Sequence, residues 1–138
     1  MASNTRFAVA LHVTAILAWN DAPISSSRLA FSVGTNPAVV RRVLGWLADA
    51  GIVESKRGRD GGTELARSPS EITLLEIYEA TEQANLLGRH TPNPRCPFVR
   101  RTRRGFEDLL QQVESTLEDE LVELSLADGL AKMGVRVS

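Results

Sequence analysis

The chain has 138 residues, 43% of them hydrophobic and 24% charged, with 16 Lys and Arg against 17 Asp and Glu. That balance fits one globular domain with at most a helical extension, and it excludes a disordered chain. A net charge of −1 leaves no attraction of the whole protein to nucleic acid, and a single cysteine excludes an internal disulfide framework.

The charge is uneven. Residues 1–70 hold eight Lys and Arg against five Asp and Glu, whereas residues 71–138 hold eight against twelve. A basic front half and an acidic rear half fit a DNA reader fused to a protein-facing segment. The start MASNTRF lacks the charged and apolar regions of a secretory leader, and no stretch is apolar enough to span a bilayer. A cytoplasmic protein with no membrane partner is expected.

Residues 4–20, NTRFAVALHVTAILAWN, are apolar nearly all round after Arg6. Such a helix requires burial on two sides, one of which can be a partner subunit. His12, among these residues, is expected in the core or at an interface. A turn over 21–24 follows, and Ser25, Ser26 and Ser27 supply an N-cap for a short helix from Arg28 to Ser32. Ser25 and Ser26 are also placed to meet a phosphate at that helix start.

Val33-Gly34-Thr35 turns the chain into a second helix. Asn36 caps it and Pro37 occupies its first position, where the missing N–H costs nothing. Val40, Val43, Leu44 and Leu47 share one face; Ala38, Arg41, Arg42, Gly45 and Asp49 share the other. Gly51 stops the helix. Ile52-Val53, the turn-rich Arg57-Gly58-Arg59-Asp60-Gly61-Gly62 and residues 63–66 then read as a two-stranded ribbon with a basic tip. Short helix, glycine turn, helix and ribbon make a winged helix-turn-helix. The narrow outer face of the second helix, armed with Arg41 and Arg42, suits a major groove. Lys56, Arg57 and Arg59 at the ribbon tip suit an adjacent minor groove.

Residues 67–71 form a linker. Thr73 and Glu76 form a capping box for a helix from Leu74 to Ala80, whose Leu74, Ile77 and Tyr78 pack back on the domain. Residues 84–97 hold three prolines and have no period, which marks a long loop. From Phe98 to about Leu124 a long helix is expected. Phe106, Leu110, Val113, Leu117, Leu121 and Leu124 line one stripe of it. Pairing with the same helix of a second copy covers that stripe; folding back on its own domain is the alternative. Ser125 caps a short helix from Leu126 to Lys132, before a loose tail over 134–138.

The run NPAVVRRVLGWLADAGIVESKRGRDGGTELA with ITLLEIYEA after it resembles the Rrf-type winged-helix transcription regulators of bacteria, the family of IscR, NsrR and CymR. The likeness extends over nearly the whole chain. It implies a mainly α fold with a small β-wing and a long dimerisation helix, and a homodimer that represses or activates at a palindromic operator in double-stranded DNA. Of the DNA-contacting residues it implicates Asn36, Ala38, Arg41, Arg42 and Arg57. The corresponding division is a winged domain over 1–82, a sensor-type loop over 83–97 and the dimerisation helix with its tail over 98–138.

Many relatives of that family hold an iron–sulfur cluster through three cysteines in the loop before the long helix. This chain has Cys96 alone, so no metal or other cofactor is expected. Two roles are open to Cys96. Arg95, Arg100 and Arg101 favour a reactive thiolate that senses an oxidant or another small-molecule signal; Pro97 and Phe98 favour a packed, inert side chain. No phosphate-binding glycine loop, metal-spaced His/Cys/Asp set or catalytic triad is present, which argues against an enzyme. The expected function is a homodimeric DNA-binding regulator, a repressor. The competing reading is a winged-helix module that uses its exposed helix to bind protein.

Overall fold

The computed structural model describes residues 5–81 and 85–136. Asn4 of the expected first helix, the expected boundary at 82/83 and the last two residues of the tail lie outside them. The fold is mainly helical with one two-stranded antiparallel sheet.

Helix α1, Arg6–Trp19, buries Ala10, Val13, Thr14, Ala15 and Leu17. The Thr14 hydroxyl donates to the carbonyls of Ala10 and Leu11 at 3.0 and 2.9 Å, so the polar group is satisfied inside the core. His12 is exposed on this chain, which excludes the core and leaves the interface as its expected place. The buried face runs through Val13 and Leu17, and each residue turns the helix by about 100°. Helix α2, Ser26–Val33, begins two residues before the expected start because Ser25 is the cap, its Oγ accepting from the N–H of Arg28 at 3.2 Å. Gly34 ends it at φ 81°.

Helix α3, Pro37–Asp49, starts as its sequence predicts. Asn36 Oδ1 accepts from the N–H of Val39 at 2.9 Å, and Val40, Val43, Leu44 and Leu47 are buried. Gly51 takes a left-handed φ of 74°, which turns the chain into strand β1, Val53–Lys56. Strand β2, Gly62–Leu65, pairs with β1 in the register Val53↔Leu65 to Lys56↔Gly62.

The segment between α1 and α2 is more than a turn. Ile24 exchanges two backbone hydrogen bonds of 2.9 Å with Thr63, extending the ribbon by one bridge and seating it on the helix-turn-helix. The approach is close: a Cβ on Gly62 would stand 2.5 Å from the Ile24 carbonyl carbon. Only glycine fits there.

A 3₁₀ turn, Pro69–Glu71, leads to helix α4, Leu74–Ala80, with the Thr73–Glu76 capping box formed in both directions. Helix α5, Pro97–Glu123, is 27 residues long, or about 40 Å at 1.5 Å per residue. Helix α6, Leu126–Lys132, is capped by Ser125. It is held to the winged domain by backbone bonds from Leu74 N–H to the Leu124 carbonyl at 2.9 Å and from Leu126 N–H to the Ile72 carbonyl at 2.8 Å. Leu126 and Leu130 belong to the same buried cluster as Val13, Leu29, Leu47, Ile52 and Ile77. The last helix therefore completes the core of the first domain.

Candidate nucleic-acid interface

The outer face of α3 is bare. Ala38, Arg41, Arg42, Gly45 and Asp49 are all exposed, as their spacing predicts from the opposite, buried face. Between this face and the ribbon lies a groove of about 560 Å³, lined by Ser25 and Ser26 at the start of α2, Arg41 and Gly45 on α3, and Ser55 and Lys56 on β1. The fold thus brings four of the expected contact residues, Ser25, Ser26, Arg41 and Lys56, to one concavity. Asn36 stands exposed at the head of α3 with one side-chain oxygen engaged as the cap. Its Oδ1 is engaged by the cap, and its amide N–H₂ supplies two further donors.

The cations around this groove differ in what holds them. Among the described residues, Arg41, Arg42, Arg57 and Arg59 have no carboxylate within ion-pair distance. Lys56 has two: Glu64 at 3.4 Å and Glu54 at 3.5 Å. These carboxylates, the Glu64 hydrogen bond foremost, raise the Lys56 pKa and hold its ammonium charged. They also screen it from an approaching phosphate. By sequence Lys56 groups with the arginines; Glu54 and Glu64 set it apart. The period-two alternation of the ribbon was the available signal, because it places residues 54 and 56 on one face with Glu64 opposite Glu54.

The stripe on α5 divides into two parts. Leu121 and Leu124 are partly buried and pack against the domain's own core. Phe106, Val113 and Leu117 remain 46%, 44% and 40% exposed, with Leu109 beside them at 57%. Leu110 is half-buried. Folding back accounts for the C-terminal end of the stripe, and the middle of the helix carries an uncovered apolar face.

Cys96 is the N-cap residue of α5, half-buried, with no side-chain capping bond. Phe98 beside it is 72% exposed, so it does not supply the packing its sequence position suggested. Among the described residues no three His, Cys, Asp or Glu side chains converge in a way that could hold a metal. With one thiol in the whole chain, the donor set does not fit an iron–sulfur cluster. None of the described helices is long and apolar enough to cross a membrane.

Three comparisons bear on these features. The family model described as Rrf2, iron-dependent transcriptional regulator, matches residues 3–132. The chain is 38% identical over 127 residues to YwnA of Bacillus subtilis strain 168, whose description is that of an HTH-type transcriptional regulator; the match covers 91% of this chain and 94% of YwnA. A crystal structure described as that of a DNA-binding protein shares 34% identity at a TM-score of 0.74, over 91% of this chain and 98% of that one. CymR, the global cysteine regulator of B. subtilis, has the same fold at 22% identity and a TM-score of 0.70, over 93% of this chain and 95% of its own.

Proposed function

The chain belongs to the Rrf2 family of transcriptional regulators, and on that premise we propose that it is a homodimeric repressor that reads a palindromic operator in double-stranded DNA. The observation that carries this is the set of arginines that, among the described residues, have no carboxylate within ion-pair distance: Arg41, which lines the groove, and Arg42 on α3, and Arg57 and Arg59 on the ribbon tip. Helix α3 enters the major groove, where an arginine bonds a guanine edge with two hydrogen bonds. The small residues Ala38 and Gly45 let the helix approach closely. The ribbon tip enters the neighbouring minor groove, with Arg57 leading, and Lys56 adds a screened charge. Ser25, Ser26 and Asn36 position the two helix ends on phosphates.

Dimerisation follows from the uncovered middle of α5. Covering a fully exposed Leu, Val or Phe side chain is worth about 1.5–3 kcal/mol, so four half-exposed ones contribute on the order of 1 kcal/mol each. A second copy of the same helix supplies a matching stripe and sets the two α3 helices about one DNA turn apart. Oxidation of Cys96 at the head of α5 is the proposed signal, because bulk or charge added there alters the packing of the helix that fixes this spacing.

The test is selection of bound sequences from random DNA with the purified protein, followed by binding at two salt concentrations. A palindromic consensus whose affinity falls steeply with salt supports the proposal, since neutralised phosphates release counterions. Absence of DNA binding at low salt, with α3 capturing a protein instead, would put the interaction-module reading in its place.

A further inference from the structure

The loop before α5 is held by a cross-link that no motif announces. Arg89 in the loop meets two carboxylates on α5, Glu107 and Glu114. Its Nε donates to Glu107 Oε2 at 2.9 Å and Oε1 at 3.1 Å, and its Nη2 to Glu107 Oε1 at 2.9 Å. Toward Glu114, Nη2 donates to Oε1 at 2.7 Å and Nη1 to Oε2 at 2.9 Å. Nη1 also donates to the Gly88 carbonyl at 2.6 Å. The fork of the guanidinium is used in full.

Glu114 is the one buried residue of α5 among those described, at 6% exposed. A buried carboxylate without a partner is strongly destabilising, because its charge is taken out of water with nothing to offset the loss. Here both its oxygens are occupied, because Oε2 accepts in addition from the backbone N–H of Leu87 at 3.0 Å. Glu107 and Glu114 stand two helical turns apart on one face. The ring of His90 meets the ring of Phe106 edge-on at 5.8 Å. The first part of the loop is thereby fastened along two turns of the long helix.

The family model carries the description iron-dependent, whereas the single thiol of this chain does not fit an iron–sulfur cluster and, among the described residues, no three His, Cys, Asp or Glu side chains converge. We propose that in this protein the Arg89–Glu107–Glu114 clamp, and no metal, docks the loop on the long helix, so that the protein works without iron. The planar fork is essential to this role. Lysine keeps the charge and presents it as a single point, which cannot hold two carboxylates and a carbonyl in one plane. Only the DNA-binding arm of the following test rests on the reading as a regulator.

Purified full-length protein is offered Fe²⁺ with sulfide under anaerobic conditions, and hydrogen exchange at the Leu87 amide is measured in wild type, Arg89→Lys and Arg89→Met. The expected result is no stoichiometric iron uptake, and exchange at Leu87 at least ten-fold faster in both variants while α3 amides are unchanged. DNA affinity of wild type is expected to be the same with and without an iron chelator. Stoichiometric iron uptake, or unchanged Leu87 exchange in both variants, overturns the proposal. Should the Arg89 variants fail to fold, Glu107→Gln replaces them; it removes a half-exposed partner, and unchanged exchange there overturns the proposal equally. Failure to bind any DNA would remove the regulator reading and leave the clamp to be decided by exchange and iron content.

Discussion

Arg89 and Glu114, twenty-five positions apart, meet through two hydrogen bonds of 2.7 and 2.9 Å, one to each carboxylate oxygen. The contact joins a loop of irregular sequence to the middle of a 27-residue helix. It explains why the one buried residue of that helix, among those described, is a glutamate. It also brings the loop against the stretch of α5 that carries the uncovered stripe, since Phe106 and Leu110 share a cleft with Leu87, Arg89 and His90.

The clamp has a defined pH range. The Arg89 hydrogen bonds hold the Glu114 and Glu107 carboxyls below their ordinary pKa, and the two carboxylates raise that of Arg89. For a carboxylate with a lowered folded pKa, the stabilisation is fully present above the unfolded value of about 4.3 and is lost as pH falls through the folded value. Protection of the Leu87 amide should therefore be constant from pH 8 down to about pH 5 and vanish only below the ordinary carboxylate range. Loss of protection well above pH 5 would take the docking away from the two carboxylates.

Arg42→Ala should weaken binding to the selected operator by about 1–3 kcal/mol and relax preference at one base pair. Arg57→Ala should weaken binding most where A·T-rich sequence flanks the site, because a narrow minor groove concentrates negative potential. Anisotropy titrations on matched and mutated duplexes read both effects. Wild-type affinity in both variants would sink the groove assignment.

Glu64→Gln removes the nearer of the two carboxylates that hold Lys56. The freed ammonium should tighten DNA binding for all sequences alike and steepen the salt dependence by about one counterion. A plot of log affinity against log salt measures this. An unchanged slope would mean that Lys56 lies outside the DNA footprint.

Leu117→Glu should convert the proposed dimer to monomer and abolish binding to the proposed operator, since an unpaired carboxylate in an apolar interface costs about 3–5 kcal/mol. Leu117 is the better position than Leu121, which packs against its own core and whose loss would also destabilise the fold. Sedimentation at micromolar protein separates the two species. A monomeric wild type would remove the basis for the prediction.

Cys96→Ser should bind the operator as wild type does and lose the response to peroxide or an electrophile. Release of the variant by the same oxidant would move the sensor elsewhere. A thiol that resists labelling in the folded protein would leave Cys96 as packing.

Much of this molecule follows from contacts within one helical turn. The caps at Asn36, Thr73 and Ser125 each bond an N–H three residues ahead, and the buried faces of α3 and α4 repeat at helical spacing. Both signals are local, so the sequence by itself determined the order of helices, the ribbon, and which arginines face out. It also determined that no three cysteines exist to hold a cluster. Only the tertiary structure decided that Ile24 pairs with Thr63, that α6 completes the core, that Leu121 and Leu124 turn inward, and that His12 lies outside the core. It alone brought Glu54 and Glu64 to Lys56 and Glu114 to Arg89. Each of these depends on which distant surfaces meet, and a charged side chain reads the same in a sequence whether water or a carboxylate surrounds it.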